Sequence, residues 1–390
     1  VVNILFKKRF EWVEFSPSSG ISQYGDNARY RLCAVGGLDF ADGRGHLVAS
    51  VEATSSEEIN DLYSRKWGAE EWMIVTNAGF ATNGMPANIV APFVKNNNSI
   101  GGKILGAVGP SGFSLIGSTF NADGSTRRYD AGSLNNGTYQ IGGEGLSRNT
   151  GSSLIPGVRR VTTYARAEFA FSDAAVLSVE GGYSRTMAIF TGGLPNIASF
   201  TIQRDNAYLP QAVRNAMIAQ NVTSFTMSKG FYDMGNINFR VRNETPHAMV
   251  ALEGDLGSSW HYDAHYSYGK NIFWSNFTNN FAPAFYAFAA DAVQVGSNIV
   301  CRGVRDNVPA AAGCVPLNIF GPQSTSRSAP GAQDYVNRTG YSRVGYVQHA
   351  AAVNVPGEPF STWAGPVGIA FGGEWRSEKQ KLSADALSTA

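Results

Sequence analysis

The sequence predicts an all-β protein, an antiparallel transmembrane β-barrel with long extracellular loops. Three observations carry this expectation. About nine segments alternate apolar and polar residues with a period of two, the pattern of strands that face two unlike environments. The connections between them alternate between tight turns and long excursions, and every long one falls at the same end. Charged residues make up 16% of the chain, below the roughly 25% of soluble domains, yet no apolar run approaches the ~18 residues of a membrane helix. Low charge without a long apolar run is what a barrel gives, because alternation hides membrane hydrophobicity from a window average.

A less regular strand, roughly Trp12 to Gly25, opens the series. In the next, Tyr30, Leu32, Ala34, Leu38 and Phe40 oppose Arg29, Arg31 and Asp39. After a turn at Ala41, Leu47, Ala49 and Val51 oppose His46, Ser50 and Glu52. The hairpin from Arg159 to Arg185 is the clearest signal. Val161, Thr163, Ala165, Ala167, Phe169 and Phe171 share one face against Arg160, Thr162, Arg166 and Glu168. Beyond Ser172-Asp173-Ala174, Ala175, Leu177, Val179 and Tyr183 oppose Ser178, Glu180 and Ser184. Asn236 to Leu256 and Arg343 to Val355 are less regular. Between them Trp260, Tyr262, Ala264, Tyr266 and Tyr268 alternate cleanly with His261, Asp263, His265 and Ser267, and last Val367, Ile369, Phe371 and Trp375 oppose Glu374 and Arg376.

Short turns are expected near Ala41, Asp173, Asp255 and Pro356, with excursions from Glu57 to Pro156, Phe190 to Gly235 and Phe273 to Ser342. In the second excursion Asp205 is expected to cap a helix that carries Leu209, Val213 and Met217 on one stripe, with Pro210 in its first turns. Aromatic residues near strand ends, such as Trp260, Phe273 and Trp274, fit interfacial girdles. In a membrane, a one-residue slip would turn charges into lipid at about 2–4 kcal/mol per Lys or Arg at midplane. Leu177, Val179, Tyr262 and Tyr266 are therefore expected to point out of the curved sheet, and Arg166, Glu180, Asp263 and His265 into its concave side.

Several chemistries find no support. The formal charge is +1 and no face interleaves basic and aromatic residues, so nucleic-acid binding is not expected. Gly143-Glu144-Gly145 lacks the third glycine of a dinucleotide loop, Gly101-Gly102-Lys103 is followed by isoleucine, and no GxSxG or HExxH anchors a hydrolase. An enzyme is not expected. His261, Asp263 and His265 are of metal-ligand type, but same-face residues on one strand lie ~7 Å apart and converge poorly. A polar lumen lining is the plainer reading, and neither metal nor cofactor is expected. Cys301 and Cys314 bracket a Gly/Pro/Ala-rich stretch and read as a loop disulfide of an oxidising compartment, with two free thiols as the alternative. Cys33 falls on the phase of Arg29 and Arg31.

One set of motifs, in order, gives the chain a resemblance. They are Val1-Val2-Asn3-Ile4 with Lys7-Lys8 and Phe10-Glu11, Gly143-Glu144-Gly145, Leu209-Pro210 with its helix, Cys301, the run from Gly313 to Gly321 that contains Cys314, and Gly365-Pro366-Val367 leading to Gly373-Glu374-Trp375-Arg376. Through these the chain resembles the TonB-dependent receptors of the bacterial outer membrane over nearly its whole length. The resemblance implies a 22-stranded barrel around a plug, with residues 1–10 the end of the plug and residues 11–390 the N-terminal portion of the barrel. It implies energised uptake of a scarce nutrient of the siderophore, cobalamin or glycan class, and hence a small-molecule or oligosaccharide ligand. It also implies contact with outer-membrane lipid and with the TonB energy-coupling complex, the latter through a plug that precedes Val1. No TonB box is present and Ala390 is not the aromatic on which such barrels usually end. The chain is therefore expected to be an internal fragment that transports nothing alone. The alternatives are an outer-membrane barrel enzyme, which would need a Ser/His/Asp cluster, and a soluble β-sandwich or adhesin, which would carry Leu- and Ile-rich strand faces. The lumen-facing candidates for ligand binding are Arg166, Glu180, His261, Asp263 and His265.

Overall fold

Among the residues that the computed structural model describes, 9–109, 112–257, 259–386 and 388, nine strands form one antiparallel meander. They are β1 (Val13–Gly20), β2 (Arg29–Phe40), β3 (Gly45–Ser56), β4 (Gly157–Ser172), β5 (Ala175–Thr191), β6 (Asn238–Asp255), β7 (His261–Phe281), β8 (Asn337–Thr362) and β9 (Gly365–Ala384). Each pairs with its successor, so the period-two alternation of the sequence becomes two continuous sheet faces. β1 and β9 stand at opposite ends of the sheet order, each with one neighbour. Residues 1–8, expected to end a plug, and Ala390 lie outside the described residues.

Connections 41–44, 173–174, 256–260 and 363–364 sit at one end of the strands. Connections 57–156, 192–237 and 282–336 sit at the other. The strands are longer than their alternation suggests. β7 and β8 stay paired past Phe273, through Phe281 opposite Asn337, with a bulge between Phe277 and Asn280. The third excursion therefore runs over 282–336 rather than from Phe273 to Ser342, because pairs such as Ser275–Ser342, Asn276–Tyr341 and Asn280–Arg338 carry the ladder there without a regular apolar alternation. The last short turn is likewise not at Pro356. That residue pairs with Ala370 inside β8 and β9, beside a bulge between Gly357 and Phe360, where a missing N–H is tolerated.

The three long connections fold together into a second body. A five-stranded sheet, ordered Asn196–Gln203, Ser224–Gly230, Lys103–Val108, Ser118–Phe120, Thr126–Arg128, draws on the first two of them. Helix α1 (Gln211–Ala219) comes from the second and α2 (Pro283–Ala290) from the third. Their core joins Ile104, Phe225, Met227, Phe231, Tyr286, Leu317 and Ile319, all essentially inaccessible to solvent. Val213 and Met217 are buried, so the predicted stripe packs inward. The predicted cap is corrected: Pro210 occupies the N-cap position, while Asp205 is held by Arg302 at 2.9 Å, and Arg302 also reaches Asp291 at 2.8 Å. An Arg with two carboxylates competes well for Asp205. Cys301 and Cys314 are disulfide-bonded, with Cα atoms 6.1 Å apart, and pin the third connection.

One motif that carries the resemblance, Gly143-Glu144-Gly145, is structural here. Glu144 forms paired contacts with Arg127 and accepts the backbone N–H of Asp130 at 2.8 Å. A Cβ at Gly143 would meet the Gly132 nitrogen at 2.5 Å, at a backbone φ of +67° that favours glycine.

Candidate functional site

Register assigns every strand residue to a face. Leu177 pairs with Phe169 and Leu252, Val179 with Ala167 and Val250, and Tyr266 with Val250 and Ala351, so the apolar phases of β3 to β9 lie side by side. The opposite face carries Glu52, Arg160, Arg166, Glu168, Glu180, Asp263 and His265. In the half of β4 and β5 nearest their short turn the apolar face is the more exposed of the two, while elsewhere polar-face side chains such as Arg31 and Arg160, each 47% accessible, are open as well. Near that turn Val179 is 50% accessible, whereas the polar-face side chains of Arg166 and Glu168 are 15% and 24%. Long side chains that crowd together belong to the inner side of a bend.

Cross-strand contacts pair much of the polar face. Glu52 on β3 accepts from Arg31 on β2 and Arg160 on β4, each at 2.7 Å, so one carboxylate ties three strands. Tyr164 donates to Glu180 at 2.7 Å, and Asn271 donates to Asn243 and Thr245 at 2.8 and 2.9 Å. Such a surface presents alternating donors and acceptors, so it can hydrate or hold a polar solute.

The five sequence candidates share this face but do not converge. Arg166 and Glu180 are register partners on β4 and β5, with Arg166 also 2.7 Å from Glu168. His261, Asp263 and His265 lie on β7, two strands from β5, or ~10 Å at the usual spacing. His261 contacts Asp255 at 3.1 Å, and Asp263 accepts from Asn354 at 2.7 Å. Among the described residues no three His, Cys, Asp or Glu side chains group as metal ligands would.

Two buried polar residues carry weight that the sequence did not disclose. His46, read simply as a polar-face residue, is 3% exposed. Its Nδ1 contacts Asp39 at 2.6 Å while Nε2 accepts the backbone N–H of Phe10 at 3.1 Å. That pairing fixes the tautomer and moors the chain entering β1 to the first short turn. Lys229 is 1% exposed and donates to the carbonyls of Ile100 at 2.6 Å and Gly321 at 2.9 Å. One ammonium thus joins all three long connections at their meeting point. Burial pushes its pKa down to about 7. Neither role has a sequence signal, since the Phe10 N–H and the Ile100 and Gly321 carbonyls are backbone groups far along the chain.

No family model matches the chain, and no curated protein matches it. Among solved structures it is similar to the siderophore receptor PiuA from Acinetobacter baumannii, with 10% identity and a TM-score of 0.22. The match covers 96% of this chain and 47% of that one, so this chain spans about half the length of that receptor. Among the described residues no helix is long and apolar enough to cross a membrane, which says nothing of strands.

Proposed function

We propose that the chain is part of the wall of an outer-membrane receptor of the TonB-dependent type, taking up a scarce nutrient. The observation that supports this reading most is the inverted exposure: apolar residues crowd the open face and ionised ones the enclosed face. Water would favour the reverse arrangement, and lipid favours this one. The apolar phase of β5 runs from Ala175 to Tyr183, roughly 27 Å of strand. At a usual tilt of ~40° that gives about 21 Å of height, close to the ~25 Å apolar band of such barrels.

In this reading the polar face lines a hydrated passage, the long connections form the outward cap that meets the ligand, and further strands close the sheet between β9 and β1. Arg166, Glu180, Asp263 and His265 then contact solute on its way through rather than at a single point. Uptake is energised by a TonB-type partner and involves no enzymatic step. Substrate-dependent uptake by the complete receptor tests this. It is expected to need an intact loop module and a coupling partner. Uptake that persists without the partner would contradict the energised mechanism.

A further inference from the structure

The apolar face changes character towards the long connections. Above the row of Thr163, Tyr183, Pro246 and Val347, which already carries Lys270 and Lys379 beside Val347, the same phase turns basic. One register row reads Arg159, Met187, Arg242, Trp274, Arg343. The row below holds Arg185, Glu244 and Lys381, and the row above holds Arg240 opposite Asn276. Arg242 and Arg343 sit over the Trp274 ring, at 5.0 and 4.8 Å from its centroid. A groove of about 860 Å³ runs between these side chains, lined by Arg185, Met187, Arg240, Arg242 and Trp274. The carboxylates on these rows are Glu244, shared between Arg242 at 3.3 Å and Arg185 at 3.7 Å, and Asp385 beyond β9. The cations outnumber them.

We infer that these rows bind the phosphate headgroup of an acidic lipid whose acyl chains lie on the apolar rows below; this rests on the membrane reading above. The arrangement fits an amphiphile in both parts. Arg242 and Arg343 flank Trp274 from the two neighbouring strands, ~10 Å apart, and Arg185 lies diagonally beside Arg242 on the next strand, so several guanidiniums surround a space that phosphate oxygens can fill, and Trp274 fixes two of them in place. Three rows below the lowest of them, Val179, Val250, Tyr266 and Ala351 begin the continuous apolar strip that chains need. A free anion would gain nothing from that continuity.

Flotation of the whole chain with vesicles tests the inference. One set is phosphatidylcholine alone, and the other is phosphatidylcholine with phosphatidylglycerol at three to one. The protein is expected to partition into the acidic vesicles at least about tenfold more strongly. The R240Q/R242Q/R343Q variant should lose that preference while still binding both vesicle types, and R166Q, on the other face, should keep it. Because the triple variant places its changes on three strands, R343Q alone serves as the milder check and should lose part of the preference. Equal partition of wild type into both vesicles would overturn the headgroup site and leave the membrane reading standing. Failure to enter either vesicle would overturn both. Inorganic phosphate that abolished the preference at millimolar concentration would mark a free-anion site and overturn the lipid assignment.

Discussion

Tyr164 and His247 stack with ring centroids 6.5 Å apart over Gly182, which stands between them in register on β5. The glycine is what lets strands β4 and β6 cover β5 on the polar face. A Cβ at this position would lie 2.4 Å from the His247 ring and 2.9 Å from the Thr163 carbonyl. The pattern repeats, with Phe277 over Gly340 and Trp260 over Gly357. Aromatic cover over cross-strand glycines is how a bent sheet keeps register where side chains are missing.

Gly182→Val is therefore expected to destabilise the sheet by about 1–3 kcal/mol, read as a shift in chemical unfolding. Gly181→Ala, whose Cβ would approach only the His247 carbonyl at 3.3 Å, should stay within about 0.5 kcal/mol. Equal effects would mean that the ring stack does not govern this stretch.

Lys229 gives the loop module a pH dependence with a definite sign. Its folded pKa of about 7 lies below the unfolded value of ~10.4, so between these limits the unfolded chain binds more protons. Stability should be flat below pH 7 and rise above it, by up to about 1.4 kcal/mol per pH unit until near pH 10. Thermal unfolding at pH 6.5 and 9 should show the rise in wild type and lose it in Lys229→Met. At pH 9 that variant should be weaker, because the carbonyls of Ile100 and Gly321 lose their donor at about 1–3 kcal/mol for each group left buried, and the deficit should shrink or reverse at pH 6.5, where it is spared the cost of burying the charge.

The disulfide closes a loop of the third connection, its cysteines 13 residues apart. Cys301→Ser with Cys314→Ser should cost the loop module about 3 kcal/mol, seen as faster proteolysis within 302–313. The nine-stranded sheet should keep its unfolding midpoint, since the strand ending at Cys301 packs beside α2 and Cys314 packs on the loop core.

Strand number, order and facing were legible because a strand between two environments writes its period directly into the residues, as in Val161 to Phe171. Strand ends were less so. Pro356 reads as a turn but sits at a bulge, and the Asn-rich end of β7 reads as loop but carries a ladder. The basic rows escaped notice because Arg185 shares the phase of Val179 and Tyr183, and only register sets it beside Glu244, Arg242 and Trp274. The loop module was hidden altogether, because its core unites segments far apart in sequence, such as Ile104, Phe231 and Leu317.

The central claim is that the exposed apolar face meets lipid and the enclosed polar face meets water. Single cysteines at adjacent positions decide it most directly. In a Cys33→Ser background, Val179→Cys and Glu180→Cys are placed in vesicles and probed with a water-soluble maleimide and with a lipid-borne fluorescence quencher. The account predicts that residue 180 reacts with the maleimide and escapes the quencher, while residue 179 is quenched and reacts at least tenfold more slowly. The opposite pattern, or equal reactivity at both positions, would contradict it.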